Sequence, residues 1–189
     1  MDEKNIDAEI IQVGCIGLCS YEPSVDIQLP GKARISFRNI THELVEPLLD
    51  DIFNSEVPYE KVLGQFDNTR HNSWENVPLI KELPFFKYQH RIVLSNCGVS
   101  NPDSLSDYIS RGGYQTFLKC IRNYTGEKIC NIVEQSGLRG RGGGGYFTGE
   151  KWLMAHNTVS DQKYLICNAA ESDPGAFMDR AILEGDPHS

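Results

Sequence analysis

The sequence lacks the features of several protein classes. It has no run that approaches the roughly 18 apolar residues of a membrane-spanning helix. Its first ten residues, MDEKNIDAEI, are acidic and have no apolar core of the kind found in secretory signals. It also lacks a basic excess, because 18 Lys and Arg stand against 26 Asp and Glu, for a formal charge of −8. We therefore expect a cytoplasmic chain with no direct membrane insertion and no nucleic-acid partner.

The acidic excess is confined to one part of the chain. The first 60 residues contain 12 acidic and 4 basic residues, and the rest of the 189 residues contain 14 of each. This asymmetry indicates two units of different character. A content of 40% apolar residues allows a buried core, and the length suits one ordinary domain or two small ones.

The six cysteines fall into two groups. Four lie apart from one another beside apolar residues, which predicts buried, reduced thiols: Cys97, Cys120, Cys130 and Cys167. The other two, Cys15 and Cys19, occur together in VGCIGLCSYEP with a glycine between them.

The hydrophobic pattern predicts an α/β chain. In the first third, strands are predicted over 8–14, 24–29 and 33–39, followed by a helix capped by Thr41; this compact piece ends near residue 55. Residues 56–88 are predicted to be an irregular linker. Further along, a strand is predicted within 90–98, helices near 103–111, 113–122 and 126–136, and a strand over 163–167.

A glycine-rich segment, SGLRGRGGGGYFTGEKW, covers residues 136–152 and holds seven of the 17 glycines. Such a run is unsuited to a helix or strand interior. It is either a flexible linker or a loop that binds an anion. The second interpretation is favoured because Arg139, Arg141, Lys151 and three aromatic residues are interleaved with the glycines.

Two generic nucleotide motifs fit this segment only as letters. Gly140-x-Gly142-x-x-Gly145 matches the dinucleotide fingerprint, but it follows a predicted helix where a strand is required. Gly144 and Gly149 begin a P-loop pattern, but the Lys-Ser/Thr pair that must follow is missing.

A second polar segment, NAAESDPGAF, follows the predicted strand 163–167. Ligands commonly bind at the carboxyl ends of strands in α/β sheets. Acidic residues before a helix are also favoured by the helix dipole without any ligand. The residues leave both interpretations open.

Together these segments resemble one family. SGLRGRGGGG-YFTG-EKW followed by YLICNAAESDPGAF resembles the flavin- and NADH-binding subunit of NADH:quinone oxidoreductase and of NAD(P)-linked iron–iron hydrogenases. The resemblance implies the C-terminal half of a thioredoxin-like [2Fe–2S] domain at 1–55, a linker and leading strand at 56–98, and the N-terminal part of an α/β FMN- and NADH-binding domain at 99–189. The chain is accordingly interpreted as an internal piece of a longer protein.

The resemblance also implies a function. NAD(P)H would pass hydride to FMN, and electrons would continue to iron–sulfur clusters on this protein and on partner subunits. A [2Fe–2S] cluster, with Cys15 and Cys19 as two of its ligands, and a [4Fe–4S] cluster would exist only in the complete protein. The residues implied to contact FMN or the nucleotide are Gly140, Gly142, Gly143, Gly144, Gly145, Tyr146, Gly149, Lys151, Asn168, Glu171 and Asp173.

Two positions depart from the family pattern. Phe147 replaces a proline of the glycine loop, and Ala170 replaces a carboxylate expected to contact the flavin. The alternative interpretation is therefore a degenerate, non-catalytic chain that serves as an assembly surface.

Overall fold

The computed structural model describes residues 6–189, so the first five residues of the predicted domain 1–55 lie outside the described residues. The fold is of mixed α and β type. It divides into two compact units. One is Cys15–Gly98, and the other combines residues 6–14 with Val99–Ser189.

The unit Cys15–Gly98 is built on a three-stranded antiparallel sheet. Its strands are β1 (Val25–Ile27), β2 (Ile35–Phe37) and β3 (Val62–Gln65), in the order β1-β2-β3. The predicted hairpin is confirmed, since Val25 pairs with Phe37 and Ile27 with Ile35. The predicted helix is also confirmed as α1 (His42–Phe53), which begins directly after Thr41.

The core of this unit shows that residues 56–88 are not a linker. Trp74 and Val77 are buried with Phe37 and Ile52 in one apolar cluster. The buried Gln65 side chain accepts a hydrogen bond from Trp74 N–H at 2.8 Å and donates to the carbonyl of Val77. The structure thus differs from the predicted boundary at residue 55. A polar, proline-containing segment forms a strand here because β2 offers it a partner edge and the cluster buries its few apolar side chains.

Two other predicted strands do not form. Residues 8–14 have no regular secondary structure, and residues 92–97 form turns in which Ile92 is exposed. Both predictions were wrong because an apolar or alternating run becomes a strand only beside an edge that can hydrogen-bond to it. Near the second run lie a short helix, α2 (Pro84–Lys87), and the Arg91 side chain, which donates to the carbonyls of Ile16 and Leu94.

The unit that contains Val99–Ser189 is helical. The three predicted helices are confirmed, with shorter bounds, and two more follow: α3 (Leu105–Ser110), α4 (Gln115–Asn123), α5 (Gly126–Gln135), α6 (Thr148–Asn157) and α7 (Met178–Gly185). Ser104 caps α3, and Thr125 caps α5 by accepting from Lys128 N–H at 3.2 Å.

Helices α5 and α6 form an antiparallel hairpin. Gly149, at the start of α6, packs against Glu134, at the end of α5, while Gly126 faces His156 at the opposite end. The glycine-rich segment is the connection between these two helices. Its ends are therefore fixed by helix packing.

The predicted strand over 163–167 is absent. These residues are irregular, and Tyr164, Leu165 and Ile166 are 84%, 100% and 85% exposed. The only sheet among residues 6–189 is the one in the other unit, so this apolar run has no strand beside it in its own unit. Within the same described range, no helix is long and apolar enough to cross a membrane.

Candidate functional site

The glycine loop is closed at its base by a short stretch of antiparallel pairing. Arg139 pairs with Phe147 as an isolated bridge. Gly140 N–H donates to the carbonyl of Tyr146 at 2.8 Å, and Thr148 N–H donates to the carbonyl of Leu138 at 2.9 Å. The loop between these bonds therefore has fixed ends, which a flexible linker lacks.

The tip of the loop exposes bare backbone. A Cβ atom added to Gly142, Gly143, Gly144 or Gly145 would meet no other atom within 4 Å. Gly143 and Gly145 have φ values of +97° and +59°, which side-chain-bearing residues rarely adopt. The loop thus presents peptide groups that a ligand can approach without obstruction from side chains.

The loop leads directly into the N-terminus of α6. Phe147 occupies the N-cap position without a side-chain hydrogen bond to the helix. The N–H groups of Gly149 and Glu150 therefore lie in a first turn where they have no partner within the helix. Lys151, which is exposed, follows one residue later. Free N–H groups, the positive end of the helix dipole and an ammonium group form a suitable environment for a phosphate.

Gly149 has a packing role in this arrangement. It is buried, and a Cβ atom at this position would lie 2.2 Å from the Glu134 Cα. Its lack of a side chain is thus required for the close approach of α5 and α6. The cofactor contact implied for Gly149 stays a prediction, but the packing alone accounts for a glycine here.

The second segment, around residues 168–173, is organised by local hydrogen bonds. Asn168 Oδ1 accepts from Ala170 N–H at 3.0 Å, and Asp173 accepts through its carbonyl from Ala176 N–H at 3.1 Å. Glu171 accepts from the N–H groups of Asp179 and Arg180, at 2.7 and 3.1 Å, in the first turn of α7. Of the two interpretations left open above, the structure shows helix capping.

The two segments are not joined into one site. Within residues 6–189, no hydrogen bond, ion pair or ring contact links the glycine loop to residues 168–173. The reason is the absence of the strand over 163–167, which was expected to bring Asn168 to the edge of a sheet. The structure therefore brings together the loop residues and Lys151, and it leaves Asn168, Glu171 and Asp173 apart from them.

The cysteine pair forms a small cluster with a carboxylate. The sulfur atoms of Cys15 and Cys19 and a carboxylate oxygen of Glu22 all lie within 4.8 Å of one another. Cys15 Sγ donates to Glu22 Oε1 at 3.5 Å and accepts from Gly17 N–H at 3.2 Å. Burial raises the pKa of the Cys15 thiol; the Gly17 N–H opposes this change, and the Glu22 carboxylate adds to it.

This cluster does not fit a [2Fe–2S] centre by itself. Such a centre is held by four cysteine thiolates, whereas the described residues bring together two thiols and one carboxylate. The other cysteines are elsewhere: Cys97 and Cys130 are buried as predicted, Cys120 is half-buried and Cys167 is exposed. The prediction of a buried Cys167 was wrong, because it depended on the strand that does not form.

The sequence analysis missed the importance of Arg139. Its guanidinium Cζ lies 3.7 Å from the centroid of the Phe147 ring, and Nη1 donates to the carbonyl of Gly145 at 3.0 Å. The eight-residue separation of Arg139 and Phe147 gives no periodic signal. Only the closed loop brings the two side chains together.

Comparison with known proteins agrees with the resemblance drawn from the glycine loop. A family model described as the Nuo51 FMN-binding domain matches residues 133–189, which include the loop and the segment 168–173. The resemblance to flavin- and NADH-binding subunits is confirmed. The cysteine pair lies outside the matched residues, and the thioredoxin-like assignment of residues 1–55 stays a prediction.

Several curated proteins are similar over about half of the chain. The NADP-reducing hydrogenase subunit HndC of Solidesulfovibrio fructosivorans is 52% identical over 103 residues, which are 54% of this chain and 21% of that protein. An F-type NADH-quinone oxidoreductase subunit of Rhizobium meliloti is 44% identical over 97 residues, 51% of this chain and 23% of that protein. The F-type NADH-quinone oxidoreductase subunit of Escherichia coli is 41% identical over 88 residues, 46% and 20% respectively. The aligned region thus spans about a fifth of the length of these relatives.

Proposed function

We propose that the chain contributes the phosphate-binding part of an FMN site to an oxidoreductase subunit that oxidises NAD(P)H. The observation that carries this proposal is the glycine loop, closed at its base and opening onto the uncapped N-terminus of α6 beside Lys151. The match of the Nuo51 FMN-binding domain to the same residues supports it. The names of the similar proteins support NADH or NADPH as the electron donor.

The residues of this chain would act by binding and placement. Bound FMN would accept a hydride from NAD(P)H and release the electrons singly. The loop Gly140–Gly145 would let the peptide backbone approach the cofactor closely, and the first-turn N–H groups of α6 with Lys151 would hold its phosphate. Tyr146, which is 52% exposed next to the loop, offers a ring on which the nicotinamide nucleotide could stack.

The remaining site residues belong to the same proposal. Asn168 and Glu171 would contact the flavin and Asp173 the nucleotide, which requires Glu171 to exchange its bonds to the N-terminus of α7 for the ligand. The partners proposed are iron–sulfur subunits of a multi-subunit, cytoplasmic oxidoreductase, in line with the subunit names of the relatives. The clusters themselves would be completed with cysteines beyond the Cys15–Cys19 pair.

A flavin titration of this chain tests the proposal. FMN is titrated into the protein and its fluorescence quenching is recorded, with riboflavin, which has no phosphate, as the matched ligand. Lys151→Met is expected to weaken FMN binding about tenfold or more, because it removes a charge-assisted hydrogen bond. Riboflavin binding should change far less. Arg141→Met, the loss of another exposed cation of the loop, serves as the control variant and should have the smaller effect.

The outcomes separate the alternatives. Absence of FMN binding by the unmodified chain would contradict the proposal for this protein and favour the alternative of a non-catalytic assembly surface. Equal effects of Lys151→Met on FMN and riboflavin would show that Lys151 contacts the ring system. Equal effects of the two cation variants on FMN would show that Lys151 has no specific role.

A further inference from the structure

The loop that carries the proposed function is held by a pair of side chains. The guanidinium group of Arg139 stacks on the ring of Phe147 at 3.7 Å and donates through Nη1 to the carbonyl of Gly145 at 3.0 Å. These contacts join both arms of the loop above the backbone bonds that close its base. We call this pair the Arg139–Phe147 clasp.

Arg139 and Arg141 therefore play different parts, although both are cations of the same loop. Arg139 is engaged with an aromatic face and a carbonyl, so its guanidinium group is directed to the loop itself. Arg141 is exposed and has no partner among the described residues. Of the two, only Arg141 is free to meet a ligand from solution without breaking contacts within the loop.

The backbone at position 147 explains why a clasp is needed. Phe147 has φ −65° and ψ 118°, and −65° is the φ value that a proline ring imposes. Among the described residues, the Phe147 N–H donates no hydrogen bond. Proline would thus fit here without strain and without loss of a bond. Phe147 keeps the same backbone but leaves φ free to rotate, so another constraint must hold it.

We propose that Arg139 is a positioning residue, which with Phe147 supplies the rigidity that the proline of the family pattern would give. Because the stack and the Gly145 bond both require the closed arrangement, their loss allows the loop to open. In the open loop, the glycine backbone and the N-terminus of α6 no longer face a ligand together. The consequence for FMN rests on the proposed function, whereas the consequence for loop closure does not.

Hydrogen exchange of the full chain tests loop closure directly. The probes are the amides of Gly140 and Thr148, which close the base of the loop. Arg139→Gln and Phe147→Leu are each expected to accelerate their exchange about five- to tenfold, the size of one stacking or hydrogen-bonding contact. The double variant should show little further change, since both variants break the same clasp. Arg141→Gln is the matched control and should leave both rates unchanged.

A rescue experiment distinguishes a clasp from a simple need for positive charge. Phe147→Pro combined with Arg139→Gln should restore slow exchange, because proline fixes φ without the clasp. Arg139→Lys keeps the charge but loses the planar stack and the fork of donors, so it should not restore it. Unchanged exchange in Arg139→Gln, additive effects in the double variant, or rescue by lysine and not by proline would each overturn the proposal.

Repeating these measurements with FMN separates the two proposals. If both are correct, FMN slows exchange at Gly140 and Thr148, and Arg139→Gln weakens FMN binding while Arg139→Gln with Phe147→Pro recovers it. If FMN has no effect on the unmodified chain but Arg139→Gln still accelerates exchange, the clasp is supported and the proposed function is contradicted. Exchange of α5 amides serves as the measure that every variant remains folded.

Discussion

Replacement of Gly149 by alanine tests the helix packing that fixes the glycine loop. Alanine ordinarily stabilises a helix relative to glycine by about 1 kcal/mol. At this position, however, the new Cβ atom would lie 2.2 Å from Glu134 Cα and 2.4 Å from Glu134 N. Ordinary contacts between carbon atoms are about 3.5–4.0 Å. Because both obstructing atoms belong to the backbone, α5 and α6 must move apart by about 1 Å or more.

The expected result is a net loss of stability. Overpacking of this kind costs about 1–3 kcal/mol, and the propensity gain is small because Gly149 lies in the first turn of α6. We therefore expect Gly149→Ala to lower the opening free energy of the α5–α6 hairpin by about 1–2 kcal/mol. Amide exchange of both helices should accelerate about tenfold, since 1.4 kcal/mol corresponds to a factor of ten.

Gly144→Ala is the matched control. Gly144 belongs to the same loop, but a Cβ atom there would meet nothing within 4 Å, and its φ lies outside the left-handed region. Its stability should stay within about 0.5 kcal/mol of the unmodified chain. The packing argument is refuted if Gly149→Ala exchanges as slowly as Gly144→Ala, or more slowly than the unmodified chain.

Two further predictions concern the unit Cys15–Gly98. Burial raises the pKa of Asp26, although Ser36 and Arg34, the latter at 3.5 Å, partly oppose the change; the folded chain thus holds this proton more tightly, and stability falls as pH rises from the ordinary value through the raised one. The unfolding free energy of Asp26→Asn minus that of the unmodified chain should accordingly grow from about pH 3.5 to about pH 6 in urea titrations, and a constant difference would contradict the assignment. Anaerobic reconstitution of this chain with iron and sulfide should leave no two-iron cluster after desalting, because only two thiols meet near Glu22. A stable cluster that disappears in Cys15→Ser would contradict that expectation.

Local sequence patterns were sufficient where the structure depends on neighbours along the chain. The helix after Thr41, the hairpin of β1 and β2 and the three helices over 105–135 were predicted, since each is specified by caps, turns and apolar spacing within a few residues. The glycine loop was also recognisable, because its composition excludes regular structure and its cations indicate an anion.

Predictions failed where a segment depends on a distant partner. Residues 8–14, 92–94 and 163–167 all have apolar content typical of strands, yet none has a strand beside it in the described chain. The opposite error concerned 62–65, a segment interpreted as part of a linker that in fact pairs with β2. In each case the pairing edge, which lies far away in sequence, decided the outcome.

The sequence alone therefore determined the helices, the hairpin, the glycine loop and its relationship to flavin-binding subunits, because these depend on residue type at short spacing. Tertiary structure decided the uses of individual side chains. Gly149 became a packing residue, Glu171 a helix cap, and Arg139 and Phe147 a clasp. These roles depend on which atoms meet after the chain has folded back on itself, and the identity of a residue does not specify the atoms that it will meet.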